Sequence, residues 1–191
     1  MEEPKTRVYV GIKWGLQSPT VLLAAKYYPK PKDHVQIIRE SFKTSMMLEE
    51  AVILAKEWHH EMNVRKFFCD PTQPAFIKIM RRQRLWAVPV DAKEVNLAIN
   101  LTKKRMANSY QKLPGGLSFD LVSGDRPRQP VVGDFVCPNL MAEFPRFRGR
   151  EVRANHPVVD KPLEVDNYAL SALHFILLGL ASEVIPRVRW L

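Results

Sequence analysis

Asp70 closes a short apolar run, KFFCD from Lys66 to Asp70, and Asp166 opens an amphipathic run that continues to about Leu180. A carboxylate at the end of a buried strand stands where open sheets with parallel strands build their sites. A carboxylate at a helix start is stabilised by the free amides and the macrodipole. Each has a plain structural use as well: an Asp before Pro71 suits a turn, and an Asp opening a helix suits a cap. As a pair, in the order of elements set out below, they are residues of the type that binds hard divalent cations. One residue is discordant. In VYVGIKWG, Val8 to Gly15, an apolar strand ends on Lys13, a long cation immediately before a tryptophan and a glycine turn.

The remaining polar candidates are weaker. Cys69 and Cys137 lie inside apolar runs with no CxxC spacing, which reads as two buried thiols. His59 and His60 are neighbours on a helical stretch, so they point to different sides and lack the i, i+4 spacing of a metal pair. Ser18 and Thr20 flank Pro19 and suit turn capping. His156, Asp160 and Glu164 precede Asp166 and are secondary candidates, whereas Asp120 and Asp125 fall in a glycine- and proline-rich stretch where spacing fixes no geometry.

The elements that must position these groups follow from hydrophobic periodicity. Arg7 to Lys13 alternates, with Val8, Val10 and Ile12 on one face and Tyr9, Gly11 and Lys13 on the other. Thr20 to Tyr28 and His34 to Phe42 follow after short turns, which predicts an antiparallel meander of three strands. Leu48, Ala51, Val52, Ala55, Trp58 and Met62 form one helical stripe, with Thr44 or Ser45 placed to cap it. Then come a strand ending at Asp70, a helix from about Pro74 to Gln83, the strand RLWAVPV and a helix over Val95 to Met106. Strands alternating with helices predict parallel pairing, and three antiparallel strands followed by strand, helix, strand, helix is the order of a ribonuclease H-like mixed sheet. Tyr110 to Pro130 breaks the pattern and reads as an inserted hairpin or long loop around LSFDLVSG. DFVCPNLMAEF predicts a short strand and helix, and the last helix, Asp166 to Leu180, turns Leu170, Leu173, Leu177 and Leu180 to the core.

With 191 residues, 46% of them hydrophobic, one α/β domain over residues 1–191 is expected. No apolar run reaches the roughly 20 residues of a membrane span, and MEEPKT is not a secretory opening, so a protein of the cell interior with no membrane partner is expected. The net charge of +9 calls for a polyanionic partner, since clustered cations release the counterions of nucleic acid. The cations fall in two runs, one holding Arg81, Arg82, Lys103, Lys104 and Arg105 and the other Arg126, Arg128, Arg146 and Arg148. A solvated cationic surface is the alternative reading of both.

VYVGIKWGLQSPTVLL, KFFCDPTQPAFIKIMRRQ, DFVCPNLMAEFPRFR and EVDNYALSALHFIL together resemble, in order and over nearly the whole chain, the landmarks of the nuclease domain of a tailed-bacteriophage terminase large subunit. That resemblance implies a genome-packaging endonuclease that cuts concatemeric double-stranded DNA in the host cytoplasm. Its acidic positions, carried over, fall on Lys13, Asp70 and Asp166. In such a domain three carboxylates would hold two Mg²⁺ or Mn²⁺ ions roughly 3.5 to 4 Å apart, one activating water and one stabilising the leaving oxygen. The resemblance also implies an ATPase domain, a small terminase subunit and a portal protein as partners. No G-x-x-x-x-G-K-[ST] loop is present in these 191 residues, so the ATPase domain is expected to lie outside them, and the chain reads as an excised domain or a reduced natural protein.

Lys13 departs from that pattern by two units of charge. It is a strand-end lysine reaching for solvent, or the mark of a nuclease disabled at its first carboxylate, or a fixed cation replacing one of two metals. The second reading is preferred, because a protonated lysine cannot coordinate a metal, and an ammonium here is expected to pair with Asp70 or Asp166. Asp70 and Asp166 are then the remaining metal ligands. A catalytically dead DNA-binding or assembly module, and a Holliday-junction resolvase or ribonuclease H, are the rival functions.

Overall fold

A computed structural model of the chain describes residues 5–91, 94–122, 131–146 and 167–184. The three expected antiparallel strands are β1 (Arg7–Lys13), β2 (Thr20–Tyr28) and β3 (His34–Lys43), followed by helix α1 (Leu48–Met62) and strand β4 (Val64–Cys69). Helix α2 (Pro74–Arg82), strand β5 (Ala87–Pro89), helix α3 (Val95–Tyr110), strand β6 (Leu117–Phe119), helix α4 (Pro138–Glu143) and helix α5 (Tyr168–Val184) complete the described elements. The six strands form one sheet in the order β5-β4-β1-β2-β3-β6. β1 pairs antiparallel with β2, and β2 with β3, while β1–β4, β4–β5 and β3–β6 are parallel. This mixed sheet with helices on both faces is the ribonuclease H-like arrangement expected from the order of elements.

The sheet is central because β1, β2 and β4 are apolar on both faces. Val8, Val10 and Ile12 join Phe67, Cys69, Leu22 and Ala24 in a core with Ala51, Ala55 and Trp58 of α1 and Ile77 and Met80 of α2. On the opposite face Tyr9, Leu23 and Phe68 pack with α5, together with Ala98 of α3 and Leu140 of α4. Gly11 is the reason α5 can lie directly on β1: a Cβ there would sit 2.0 Å from the Ala172 carbonyl oxygen. α5 is apolar beyond the single leucine stripe expected of it. Leu170, Leu173, Leu177 and Leu180 are buried, and so are Ala172, Phe175, Ile176 and Leu178, because the helix sits between the sheet and α3 and α4.

Several boundaries differ from expectation for local reasons. α1 starts later than Thr44 or Ser45 would place it, with Met47 at the cap position and its amide donating to the Glu50 carboxylate at 3.3 Å. α3 runs past Met106 to Tyr110, its end held by the Ser109 hydroxyl, which donates to the Leu117 carbonyl at 2.6 Å and accepts from the Leu117 amide at 2.7 Å. The expected hairpin is reduced. Its first arm is β6, a parallel edge strand on β3, and the antiparallel return among the described residues is a bridge between Leu121 and Phe135, with residues 123–130 outside them. The strand expected in DFVCP is reduced to that bridge at Phe135, just after a 3₁₀ turn over Val132–Asp134. No described helix is long and apolar enough to cross a membrane.

Candidate functional site

Parallel pairing sets Ile12 beside Cys69, so Lys13 and Asp70 emerge side by side where β1 and β4 end. The Asp70 amide donates to the Ile12 carbonyl at 2.9 Å, fixing that register one residue beyond the strand. Because Lys13 shares a face with Tyr9 and Gly11, its side chain lies on the α5 side of the sheet. Its Nζ meets Asp70 Oδ2 at 2.5 Å; the lysine side chain is 27% exposed and the aspartate 1%. The other carboxylate oxygen, Oδ1, accepts from the Thr72 amide at 2.9 Å, the turn role foreseen for an Asp before proline, and α2 then starts at Pro74. Both oxygens of the buried Asp70 are thus occupied, one by a full positive charge.

Above this pair lies a cavity of about 400 Å³, also lined by Trp14, Ser18, Thr72, Asn167, Ser171 and His174. Asn167, Ser171 and His174 recur at helical spacing, so one polar stripe of an otherwise apolar α5 faces the opening. The Ser171 hydroxyl donates to the Asn167 carbonyl at 2.7 Å. Burial pushes the His174 imidazole down to about 4, which leaves it neutral at pH 7. Trp14 is 5% exposed, packs edge-on against Phe76 at 5.2 Å, and its Nε1–H has no acceptor among the described residues. The glycine turn after it is closed by Thr20, whose hydroxyl accepts from the Gly15 amide at 3.0 Å and donates to the Gly15 carbonyl at 3.1 Å.

The amide end of α5, which starts beside the cavity, is already served. Glu143 of α4, itself buried, accepts from the Ala169 amide at 3.1 Å and the Leu170 amide at 2.7 Å, and burial raises its carboxyl above the ordinary range. Glu40 does the same for α4, accepting from the amides of Asn139 and Leu140 at 2.9 and 2.8 Å. Neither glutamate stands out in the sequence. The signal for His174 and Ser171 was their i, i+3 and i, i+4 recurrence with Asn167 on a leucine-rich helix.

Of the expected site residues the structure brings together Lys13 and Asp70. Asp166, Arg126, Arg128 and Arg148, with His156, Asp160, Glu164 and Asp125, lie outside the described residues. Arg81 and Arg82 end α2, which returns from the carboxyl end of β4 toward the start of β5, so both lie toward the start of that neighbouring strand and away from the strand end that carries Asp70. Arg81 Nε donates to the Ala87 carbonyl at 2.7 Å. α3 likewise leads away from the cavity: Lys103 and Lys104 are exposed on its second half, and Arg105 is bound to Asp33 at 3.2 Å at the far edge. Arg146 ends the 3₁₀ turn after α4. Cys69 and Cys137 are buried free thiols, both pushed up by burial, Cys137 to about 12. His59 binds the Val64 carbonyl through Nδ1 at 2.9 Å, and His60 is exposed.

A two-metal centre does not fit the described residues. Lys13 holds one oxygen of the one carboxylate at the strand ends, and no group of three or more His, Cys, Asp or Glu is disposed to bind an ion among the described residues. The Lys13 ammonium at the cavity disfavours a second cation beside Asp70.

The class that this fold defines is the ribonuclease H-like fold. Within it, the solved structures that the chain resembles are large terminases. The chain matches the large terminase of a thermophilic bacteriophage with a TM-score of 0.71 at 15% identity, over 95% of this chain and 41% of that one. It matches the nuclease domain of the large terminase of bacteriophage SPP1, a structure with bound Mn, at 0.59 and 14% identity, over 88% of this chain and 84% of that one. The thermophilic phage's large terminase in complex with ADP matches at 0.68 and 16% identity, over 93% of this chain. The chain therefore spans about two fifths of the thermophilic phage protein's length. No protein-family model matches the sequence, and no curated protein matches it.

Proposed function

We propose that this chain is the nuclease-fold domain of a viral genome-packaging enzyme, gripping double-stranded DNA, with its phosphodiester hydrolysis disabled at Lys13. The observation that carries this reading is the Lys13–Asp70 ion pair, at the strand ends where the fold is expected to present carboxylates to divalent ions. An ammonium there repels Mg²⁺ or Mn²⁺ and takes up the oxygen a metal would use. Asp166, at the expected start of α5, is the second ligand position of the reading. The exposed cations Arg82, Lys103 and Lys104, with Arg126, Arg128, Arg146 and Arg148, are its phosphate contacts, and Arg81 and Arg105 contribute charge while bound to the protein itself. An ATPase domain, a small terminase subunit and a portal protein are the partners, in the host cytoplasm.

Nicking of supercoiled plasmid in Mn²⁺ by this chain and by Lys13→Asp tests the reading. Cutting by the Lys13→Asp protein alone is the expected result, and its loss on adding Asp70→Asn identifies the site. Cutting by the unaltered chain, abolished by Asp70→Asn, would overturn the inactivation. If neither protein cuts, melting of Lys13→Asp in Mn²⁺ and in EDTA decides: with two carboxylates side by side it should be destabilised in EDTA and rescued by Mn²⁺, and no rescue would refute the metal position.

A further inference from the structure

The end of the sheet opposite Lys13 and Asp70 gathers cations from every strand. β1, β4 and β5 start there, β2 ends there beside the start of β1, and β3 and β6 start there in parallel. Across the order β5-β4-β1-β2-β3-β6 the exposed cations are Arg84 just before β5, Arg65 in β4, Arg7 in β1, Lys30 and Lys32 in the turn from β2 to β3, and Lys112 just before β6. Neighbouring strands lie roughly 4.8 Å apart, so the row is about 24 Å long. The seven residues of β1 separate it from Lys13 by about 20 Å.

Two hollows open in this row. One of about 340 Å³ is flanked by Lys5, Arg7 and Arg65, and one of about 580 Å³ by Lys32, Lys112, Tyr28 and His34; neither is lined by a carboxylate. The carboxylates Asp33, Glu61 and Glu183 reach the same end but are already paired, with Arg105, Arg39 and Lys66. Arg65, Arg84, Lys30, Lys32 and Lys112 form no ion pair among the described residues, so the row keeps its charge. Protein-binding faces are depleted in lysine, whereas cations in a row gain free energy by releasing the counterions of a phosphate backbone.

We propose that this end of the sheet is a docking surface for the backbone of double-helical DNA, separate from the strand ends at Lys13 and Asp70, with the two hollows taking phosphates. The inference rests on the reading of the chain as a DNA-gripping domain and adds to it the place and the residues of the grip. A duplex held here lies a full strand length from Lys13, so holding DNA and the strand-end centre are separate properties of the fold.

Fluorescence anisotropy of a short labelled duplex, titrated over a series of KCl concentrations, tests this with the parent chain and a triple variant carrying Lys32→Gln, Arg65→Gln and Lys112→Gln. All three positions are exposed, so the variant is expected to melt with the parent. Its duplex binding is expected to be weaker, with the slope of log K against log salt reduced by about 3, one for each phosphate contact. Acetylation of the unaltered chain, read by mass spectrometry, maps the surface independently of any variant: duplex is expected to protect Lys30, Lys32 and Lys112. An unchanged slope, or protection confined to other lysines, would overturn the inference while the DNA-gripping reading stands. A parent chain that binds no duplex would overturn both. Polyglutamate bound in preference to duplex, with the same loss in the triple variant, would replace DNA by an acidic protein as the occupant.

Discussion

Replacing Lys13 with methionine keeps the length of the side chain and removes its charge, which leaves the Asp70 carboxylate 1% exposed and without its cation. Removing one partner of a buried pair typically costs about 3 to 5 kcal/mol, because the remaining charge is stranded. Lys13 is 27% exposed, so water reaches its end of the pair and the low end, about 3 kcal/mol, applies. Asp70→Asn alone keeps an oxygen for the Thr72 amide and should cost less. In the double variant, methionine faces a neutral amide, and most of the first loss should return, giving a coupling of about 2 kcal/mol. Urea denaturation followed by circular dichroism reads this directly. With a slope of about 2 kcal/mol per molar, Lys13→Met moves the midpoint down by about 1.5 M. A Lys13→Met protein within about 0.5 kcal/mol of the parent, or strictly additive single losses, would refute the claim that the carboxylate depends on this lysine.

Three further outcomes are expected. Gly11→Ala places a Cβ 2.0 Å from the Ala172 backbone oxygen, so α5 must lift from β1; a loss above about 3 kcal/mol or failure to fold is expected, and thermal melting checks it. His174 is held near 4 against an ordinary 6.5, so the unfolded chain binds its proton more tightly, and stability falls as pH falls from 6.5 to 4 by on the order of 3 kcal/mol. Glu143, raised by burial, works in the opposite sense above pH 4.5, so the His174 contribution is measured as the pH-dependent difference between the parent and His174→Leu. Cys69 and Cys137 are buried with raised thiols, and Ellman's reagent should find no reactive thiol in the native protein and two in urea.

Local patterns carried most of the sheet. Tight turns at Gly15–Pro19 and Pro29–Asp33 leave β1, β2 and β3 no option but an antiparallel meander, and Pro74 at the first turn of α2 marks its start to the residue. The edge strand was hidden for a physical reason. LSFDLVSG alternates as well for a hairpin as for a parallel strand, and its pairing with β3 is decided by α3, whose Ser109 and Arg105 hold Leu117 and Gly116 in place from the preceding helix. The site was legible in part. Asp70 at a strand end and Lys13 at its neighbour could be placed beside each other from the order of strands. The polar stripe of α5 left only a spacing of Asn167, Ser171 and His174, and the Glu143 carboxylate at its amide end left no signal, because a Glu in a short helix reads as an ordinary surface residue until the helices are docked.

The carboxyl ends of β1 and β4 pose one electrostatic problem whatever the protein does with it. Register puts the residues that follow Ile12 and Cys69 side by side, and burial of Asp70 demands a positive partner at that point. A divalent ion can meet that demand only when it is bound, which makes the local structure hostage to metal supply. Lys13 meets it from within the chain, so the strand ends, the Thr72 turn and the start of α2 keep their geometry at any metal concentration. Lysine at this position therefore stabilises the platform around it. Gly11 and the Glu143 cap keep α5 pressed against that platform, which holds the α5 wall of the cavity in place. Lys13 serves here as the counter-ion that the buried Asp70 requires.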